Sequence, residues 1–156
     1  MEVIIRKATK KDFDELIDLK LKLKKEERAY NKDLGPIKSI ARHYRQYLKE
    51  DLTKKDRIML AAVNDNKIIA IITIRIYRSL RIFGYRKRGH LSNLYVTKKA
   101  RKRGIGQRLV NEAIRWCKSR KIKEVTLEIF EKNVSALNLY NKLGFRNYSV
   151  KMIKKI

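Results

Sequence analysis

The 156-residue sequence carries 41 Lys and Arg against 16 Asp and Glu, a net charge of +25, with 44% hydrophobic residues. That hydrophobic share excludes a disordered chain, and the length suits one globular domain, expected over residues 1–156. A single cysteine, Cys117, excludes an intramolecular disulfide, and the longest apolar run, Ile68-Ile69-Ala70-Ile71-Ile72, is far too short to span a bilayer. With no signal-peptide pattern, these features point to a reducing cytosol and a cytoplasmic location.

In chain order, Val3-Ile4-Ile5 with Arg6-Lys7-Ala8 reads as a short first strand. Thr9 is a helix N-cap with Asp12 at the capping-box distance, and Phe13, Leu16, Ile17, Leu19 and Leu23 continue a helix to about Arg28. Gly35-Pro36 breaks the chain, and Ile37, Ile40, Ala41, Tyr44, Tyr47 and Leu48 mark a second helix. Residues 57–63 and 68–77 are β-branched strands joined by Asn64-Asp65-Asn66-Lys67, an antiparallel hairpin. A basic loop around Phe83-Gly84-Tyr85 leads to a strand over Leu91–Val96, and Ile105, Leu109, Ala113, Trp116 and Cys117 give a third helix. Val125, Leu127 and Ile129 alternate with Thr126, Glu128 and Phe130 as a half-buried strand. A helix from Asn133 to Leu143 closes on Gly144, and Phe145–Ile153 offers a final strand. This order, in the α/β class, implies one mixed sheet with helices packed on it.

Charge is unevenly spread. No carboxylate occurs between Asp65 and Glu112, while thirteen Lys and Arg residues do. Such a field attracts polyanions: nucleic acid, an acidic protein or a phosphorylated cofactor.

The densest part is Ala100-Arg101-Lys102-Arg103-Gly104-Ile105-Gly106-Gln107-Arg108-Leu109. A phosphate-binding P-loop would need Lys and Ser or Thr after its second glycine, and Gln107 and Arg108 stand there. A dinucleotide fingerprint would need a third glycine where Leu109 stands. What survives is general: glycines at a strand-to-helix turn let backbone N–H groups converge at a helix N-terminus, where they hold an anion.

The segment also has ordered neighbours. "LSNLYV" precedes it, "LEIFEKN" follows on the next strand, and Asn-x-x-Ala-x-x-Leu-Tyr-x-x-x-Gly-Phe runs from Asn133 to Phe145. Together with Arg-x-x-Gly-x-Gly at residues 101–106, this set resembles the GNAT superfamily of acyl-CoA N-acyltransferases. The resemblance implies a central twisted mixed sheet, splayed between its fourth and fifth strands and flanked by about four helices. It makes Lys102, Arg103, Gly104, Ile105, Gly106 and Gln107 the pyrophosphate site of acetyl-CoA, with Arg101 opening it. Leu94, Tyr95 and Val96 would pair their backbone with the pantetheine arm, on a strand that carries a bulge. Asn133 would bond the pantetheine amide, although by position it is equally an N-cap.

For the chemistry, the resemblance makes Tyr140 the acid that protonates the leaving thiolate; Leu137 and Leu143 at three-residue spacing equally fit a core anchor. Glu128, opposite in phase to Val125, Leu127 and Ile129, matches a family glutamate and is the first candidate for the base, against a purely structural role. His90 and Tyr95 are further candidates, and no metal is expected.

A cleft ringed by positive charge disfavours polyamines and favours an amine among acids. An α-amino group, with a reference pKa near 8 against ~10.4 for lysine, is also more often neutral. The expected activity is therefore transfer of acetyl from acetyl-CoA to a protein or peptide amine, with a small-molecule amine as the alternative. The first two helices and the loop over residues 78–89 would wall the acceptor site, with Tyr30, Tyr44, Tyr47, Phe83 and Tyr85 available there. A rival reading is an RNA-binding protein in which Tyr77, Phe83 and Tyr85 interleave with arginines. An acetyltransferase held near the ribosome by charge combines the two, as a monomer or homodimer.

Overall fold

A computed structural model describes residues 2–154 and residue 156. The elements are β1 (Ile4–Lys7), α1 (Phe13–Glu27), α2 (Ile37–Thr53), β2 (Arg57–Asn64), β3 (Lys67–Arg78), β4 (Lys87–Val96), α3 (Ile105–Ser119), β5 (Val125–Thr126) and α4 (Val134–Lys142). One sheet takes the strands in chain order, antiparallel from β1 to β4 and parallel between β4 and β5. It is the mixed sheet with four helices that the sequence leads one to expect.

Local chemistry sets the ends of these elements. The Asp12 carboxylate accepts from the Thr9 N–H at 2.7 Å and from both Arg6 guanidinium nitrogens at 2.8 and 2.7 Å. A 3₁₀ turn at Lys10–Asp12 intervenes, so the α-helix proper starts at Phe13. In the β2–β3 hairpin, Asp65 and Asn66 have φ of 49° and 60°, both left-handed as a type I′ turn requires.

Two cores flank the sheet. On one face Leu60, Ile72, Ile74 and Leu91 pack with Leu109, Val110 and Ala113 of α3 and with Tyr140 of α4. On the other, Met59 and Ile71 pack with Leu16 and Leu19 of α1 and Leu48 of α2. Truncating a fully buried leucine here, such as Leu109 or Leu48, would cost about 2–5 kcal/mol.

The feature that positions the site is a bulge in β4. Ile71 pairs with Tyr95, but Thr73 pairs with Ser92, so β4 holds one extra residue, and Asn93 there has φ of 52°. An inserted residue reverses the alternation of side chains. Leu91 therefore shares the α3 face with Leu94 and Val96, while His90, Ser92 and Tyr95 share the opposite one.

Two expectations are corrected. The strand read over residues 125–130 pairs only at Val125 and Thr126, against Gly89 and His90. Leu127 and Ile129 still pack inward but leave the ladder, so the edge of β4 from Leu91 to Val96 faces an opening. The final strand over Phe145–Ile153 does not form: residues 145–154 have no regular structure, and Tyr148, Val150 and Met152 are 79%, 81% and 89% exposed. Alternation alone cannot hold a strand whose side chains bury so little.

Candidate active site

The glycine segment forms the turn into α3. Lys102 (φ 59°) and Gly104 (φ 74°) are both left-handed, and α3 starts at Ile105. The first bond closing the helix runs from the Arg108 N–H to the Gly104 carbonyl at 3.0 Å, so the N–H groups of Ile105, Gly106 and Gln107 have no intrahelical partner. They carry the positive end of the helix dipole. Ile105 is buried and anchors the turn, Gln107 is half-buried, and Lys102 and Arg103 are exposed.

Gly106 lies where three elements meet. A Cβ on it would stand 3.5 Å from Leu139 of α4, 3.7 Å from Val96 and 4.0 Å from Leu94. A methyl group fits there, and a longer side chain would have to displace α4 or β4. This is the floor of the opening beside β4, so the turn and the strand edge form one continuous groove.

Arg101 ties this groove to α1. Its Nε donates to the Val96 carbonyl at 2.9 Å, and Nη2 meets both Glu26 oxygens at 2.9 and 2.7 Å. Its guanidinium also lies over the Tyr95 ring, whose hydroxyl donates to Glu26 at 3.3 Å. Tyr95 thus faces α1, and burial raises its phenol pKa.

At α4, Asn133 does what its position suggests: its side-chain oxygen accepts from the Ala136 N–H at 3.2 Å as an N-cap. Its Nδ2 donates to the Tyr30 hydroxyl at 3.0 Å, and Tyr30 packs on Phe130, so the α1–α2 connection reaches across to the start of α4. Tyr140 is 7% exposed with its ring edge-on to Phe145. Burial pushes its phenol up to about 12, and its hydroxyl has no hydrogen-bond partner among the described residues.

On the other face of β4 lies a cavity of about 370 Å³ that ends on Ser92 and Asn93 at the bulge. Its walls come from α2 (His43, Tyr44, Tyr47), from Lys20 of α1, from Arg75 of β3 and from His90. His90 is half-buried with Nδ1 3.3 Å from the Thr126 hydroxyl; burial lowers its pKa, Glu128 opposes that shift and Arg75 adds to it. Glu128 itself is exposed, close enough to act on His90 but not a wall of the cavity. Tyr44 and Tyr47 line this cavity, Tyr85 is exposed on the loop, and the Phe83 side chain lies outside the described residues.

Lys20, Asp51 and Arg75 escaped the sequence reading. Each is a charge on an apolar stripe: Lys20 after Leu16 and Ile17, Asp51 after Tyr44 and Leu48, and Arg75 in phase with Ile71 and Thr73. That interruption of periodicity was the available signal.

The basic stretch is partly matched within the molecule. Arg75 pairs with Asp51, Arg86 and Arg88 with Glu124, and Arg101 with Glu26. Lys98, Lys99 and Lys102 stay exposed around the turn.

A splayed mixed sheet with a bulged fourth strand, a glycine turn on one side and a cavity on the other defines an acyl-CoA N-acyltransferase fold. The acetyltransferase (GNAT) family profile matches residues 22–145, and the chain belongs to that family. It is 30% identical over 97% of its length to an uncharacterized N-acetyltransferase of Methanocaldococcus jannaschii, spanning 66% of that protein. A 58-residue stretch is 45% identical to an N-alpha-acetyltransferase of Arabidopsis thaliana, 37% of this chain and 30% of that one. A predicted acetyltransferase of Clostridium acetobutylicum, crystallised with acetyl-CoA, superposes with a TM-score of 0.82 at 20% identity, over 99% of this chain and 96% of that one. No helix among the described residues is long and apolar enough to cross a membrane.

Proposed function

We propose that this chain transfers an acetyl group from acetyl-CoA to a protein or peptide amine, with a chain N-terminus as the preferred acceptor. The observation that carries this is the two-sided bulge: the N–H groups of Ile105, Gly106 and Gln107, unpartnered among the described residues, open on one face of β4, and the cavity meets Ser92 and Asn93 on the other. Relatives named N-alpha-acetyltransferase support the choice of amine.

The donors at the start of α3 fit a pyrophosphate, and the left-handed Gly104 aims them outward. Lys102 and Arg103 add charge there, and Arg101 fixes the turn against α1. The open edge of β4 at Leu94, Tyr95 and Val96 would hold the pantetheine arm, and Asn133 would bond its amide in place of the Tyr30 hydroxyl. Acetyl-CoA, when bound, supplies the activated thioester. Attack by the neutral amine forms the new C–N bond and breaks the C–S bond. His90, on the cavity wall three positions along β4 from the bulge, takes the amine proton through water in the cavity, with Glu128 stabilising the imidazolium. Tyr140, protonated at neutral pH, donates a hydrogen bond to the departing sulfur. Full proton transfer from a phenol near 12 to a thiolate of ordinary pKa ~8.5 is uphill, so the hydroxyl acts by that hydrogen bond and solvent supplies the proton.

Mass spectrometry of the purified protein with acetyl-CoA and a panel of amines tests this. Acetylated peptide α-amines are expected; efficient acetylation of spermidine with none on peptides would overturn the assignment.

A further inference from the structure

One carboxylate serves two cations beneath the cavity. Asp51, 1% exposed, accepts from Arg75 through both oxygens at 2.9 Å each, while Arg57, 3.6 Å away, bonds Glu50 at 3.0 Å. Lys20, also 1% exposed, reaches the same carboxylate only at 3.5 Å and otherwise faces the Tyr44 ring at 5.0 Å. An ammonium has three hydrogens to donate, and here a single long contact receives them. Arg75 likewise commits Nε and Nη2 to Asp51, and Nη1 has no partner among the described residues.

Buried charge is costly unless matched: Lys20 and Asp51 are both buried, and Arg75, 37% exposed, brings a second positive charge to the one carboxylate. None of the residues that line the cavity is acidic, while Lys20, Arg75 and two histidines line it. An anion entering from the cavity would offset the excess.

Spacing says where that anion sits on an acceptor. Arg75 pairs with His90, three positions along β4 from Asn93 at the bulge, which is about 10 Å at ~3.3 Å per residue. An extended peptide advances about 3.3–3.6 Å per residue. A group reaching Arg75 and Lys20 while the amine stands at the bulge therefore belongs to the second or third residue.

We propose that Lys20 and Arg75 form a carboxylate-recognition site, so that the acceptor is a peptide N-terminus with an acidic side chain at its second or third residue. The proposal rests on the reading of this cavity as the acceptor side of a peptide N-acetyltransferase. The positive wall also favours the neutral, nucleophilic form of the incoming amine.

The test compares two peptides, Ser-Glu-Ala-Gly and Ser-Gln-Ala-Gly at their starts and otherwise identical, by acetylation kinetics and by calorimetric binding to the protein with CoA. Wild type should favour the glutamate peptide about tenfold, chiefly in KM. Lys20→Met should bring the ratio near one, and Lys20→Arg should restore part of it. Equal kcat/KM for both peptides in wild type overturns the site and leaves the acetyltransferase reading standing. A preference that survives in folded Lys20→Met also overturns it. Should neither peptide be acetylated while the glutamate peptide binds more tightly in a Lys20-dependent way, the site stands and the acetyltransferase reading fails. The wild-type comparison alone decides the matter if the variants do not fold.

Discussion

Gly89 and Cys117 close on each other where β4 crosses α3: a Cβ on Gly89 would lie 2.7 Å from the Cys117 sulfur. Gly89 is also one of the two β4 residues that pair with β5, and its N–H donates to the Glu124 carbonyl at 3.0 Å. This contact sets how deeply α3 packs at the place where the sheet begins to open. Gly89→Ala should lose about 1–3 kcal/mol by overpacking. In a Cys117→Ala background most of that penalty should vanish, because the sulfur is what the methyl meets. Urea denaturation of the four proteins in a double-mutant cycle measures the coupling, and additive losses would contradict the account.

His90 should appear in the pH profile. Burial holds its pKa below 6.5, so it is neutral and able to accept a proton at pH 7. A peptide α-amine, with a pKa near ~8, must lose its own proton as well. Log kcat/KM should therefore fall with slope one as the pH drops below about 8, then steepen to slope two below the pKa of His90. His90→Gln should keep the first limb and lose the second. A wild-type slope of one down to pH 5 would exclude the histidine as base.

Tyr140→Phe removes only a hydroxyl. The variant should fold, bind CoA normally and lose about tenfold to a hundredfold in kcat, the range of a hydrogen bond to developing charge. Single-turnover acetylation beside CoA titration separates the two effects. Unchanged chemistry with weakened CoA binding would make Tyr140 a packing residue.

Arg6 and Asp12 brace the entry to α1, and the bidentate hydrogen bond lowers the Asp12 pKa to about 2. A carboxyl whose folded pKa is depressed contributes stability above its unfolded pKa of about 3.9, and that contribution is lost as pH falls toward 2. Arg6 is 41% exposed, so Arg6→Ala should cost about 0.5–1 kcal/mol at pH 7 and progressively less as the pH falls through 2. Thermal melts of both proteins across that range check the sign.

The elements read well from sequence are those specified locally. Asp65 and Asn66 supply the two positive φ values of the hairpin, and Asn133 caps α4 with its own side chain. The Arg-x-x-Gly-x-Gly turn was legible because its glycines and its helix are adjacent in the chain. What sequence periodicity missed depends on distant partners. Residues 145–154 alternate like a strand, yet Tyr148 stays 79% exposed, with only Arg88 beside it among the described residues. The phase reversal at Asn93 needs β3 as its ruler. Lys20 and Asp51, 31 residues apart in sequence, meet only because α1 packs on α2.

The account turns on the start of α3 as an anion site, and Gly106→Glu tests it most directly. The change crowds the floor of the groove against Leu139, Val96 and Leu94 and sets a carboxylate beside the donors of Ile105 and Gln107. Thermal unfolding with increasing acetyl-CoA should show a rising Tm for wild type and for Gly106→Ala, with no shift for Gly106→Glu. Equal stabilisation of the wild type and Gly106→Glu by acetyl-CoA would place the cofactor elsewhere and contradict the assignment.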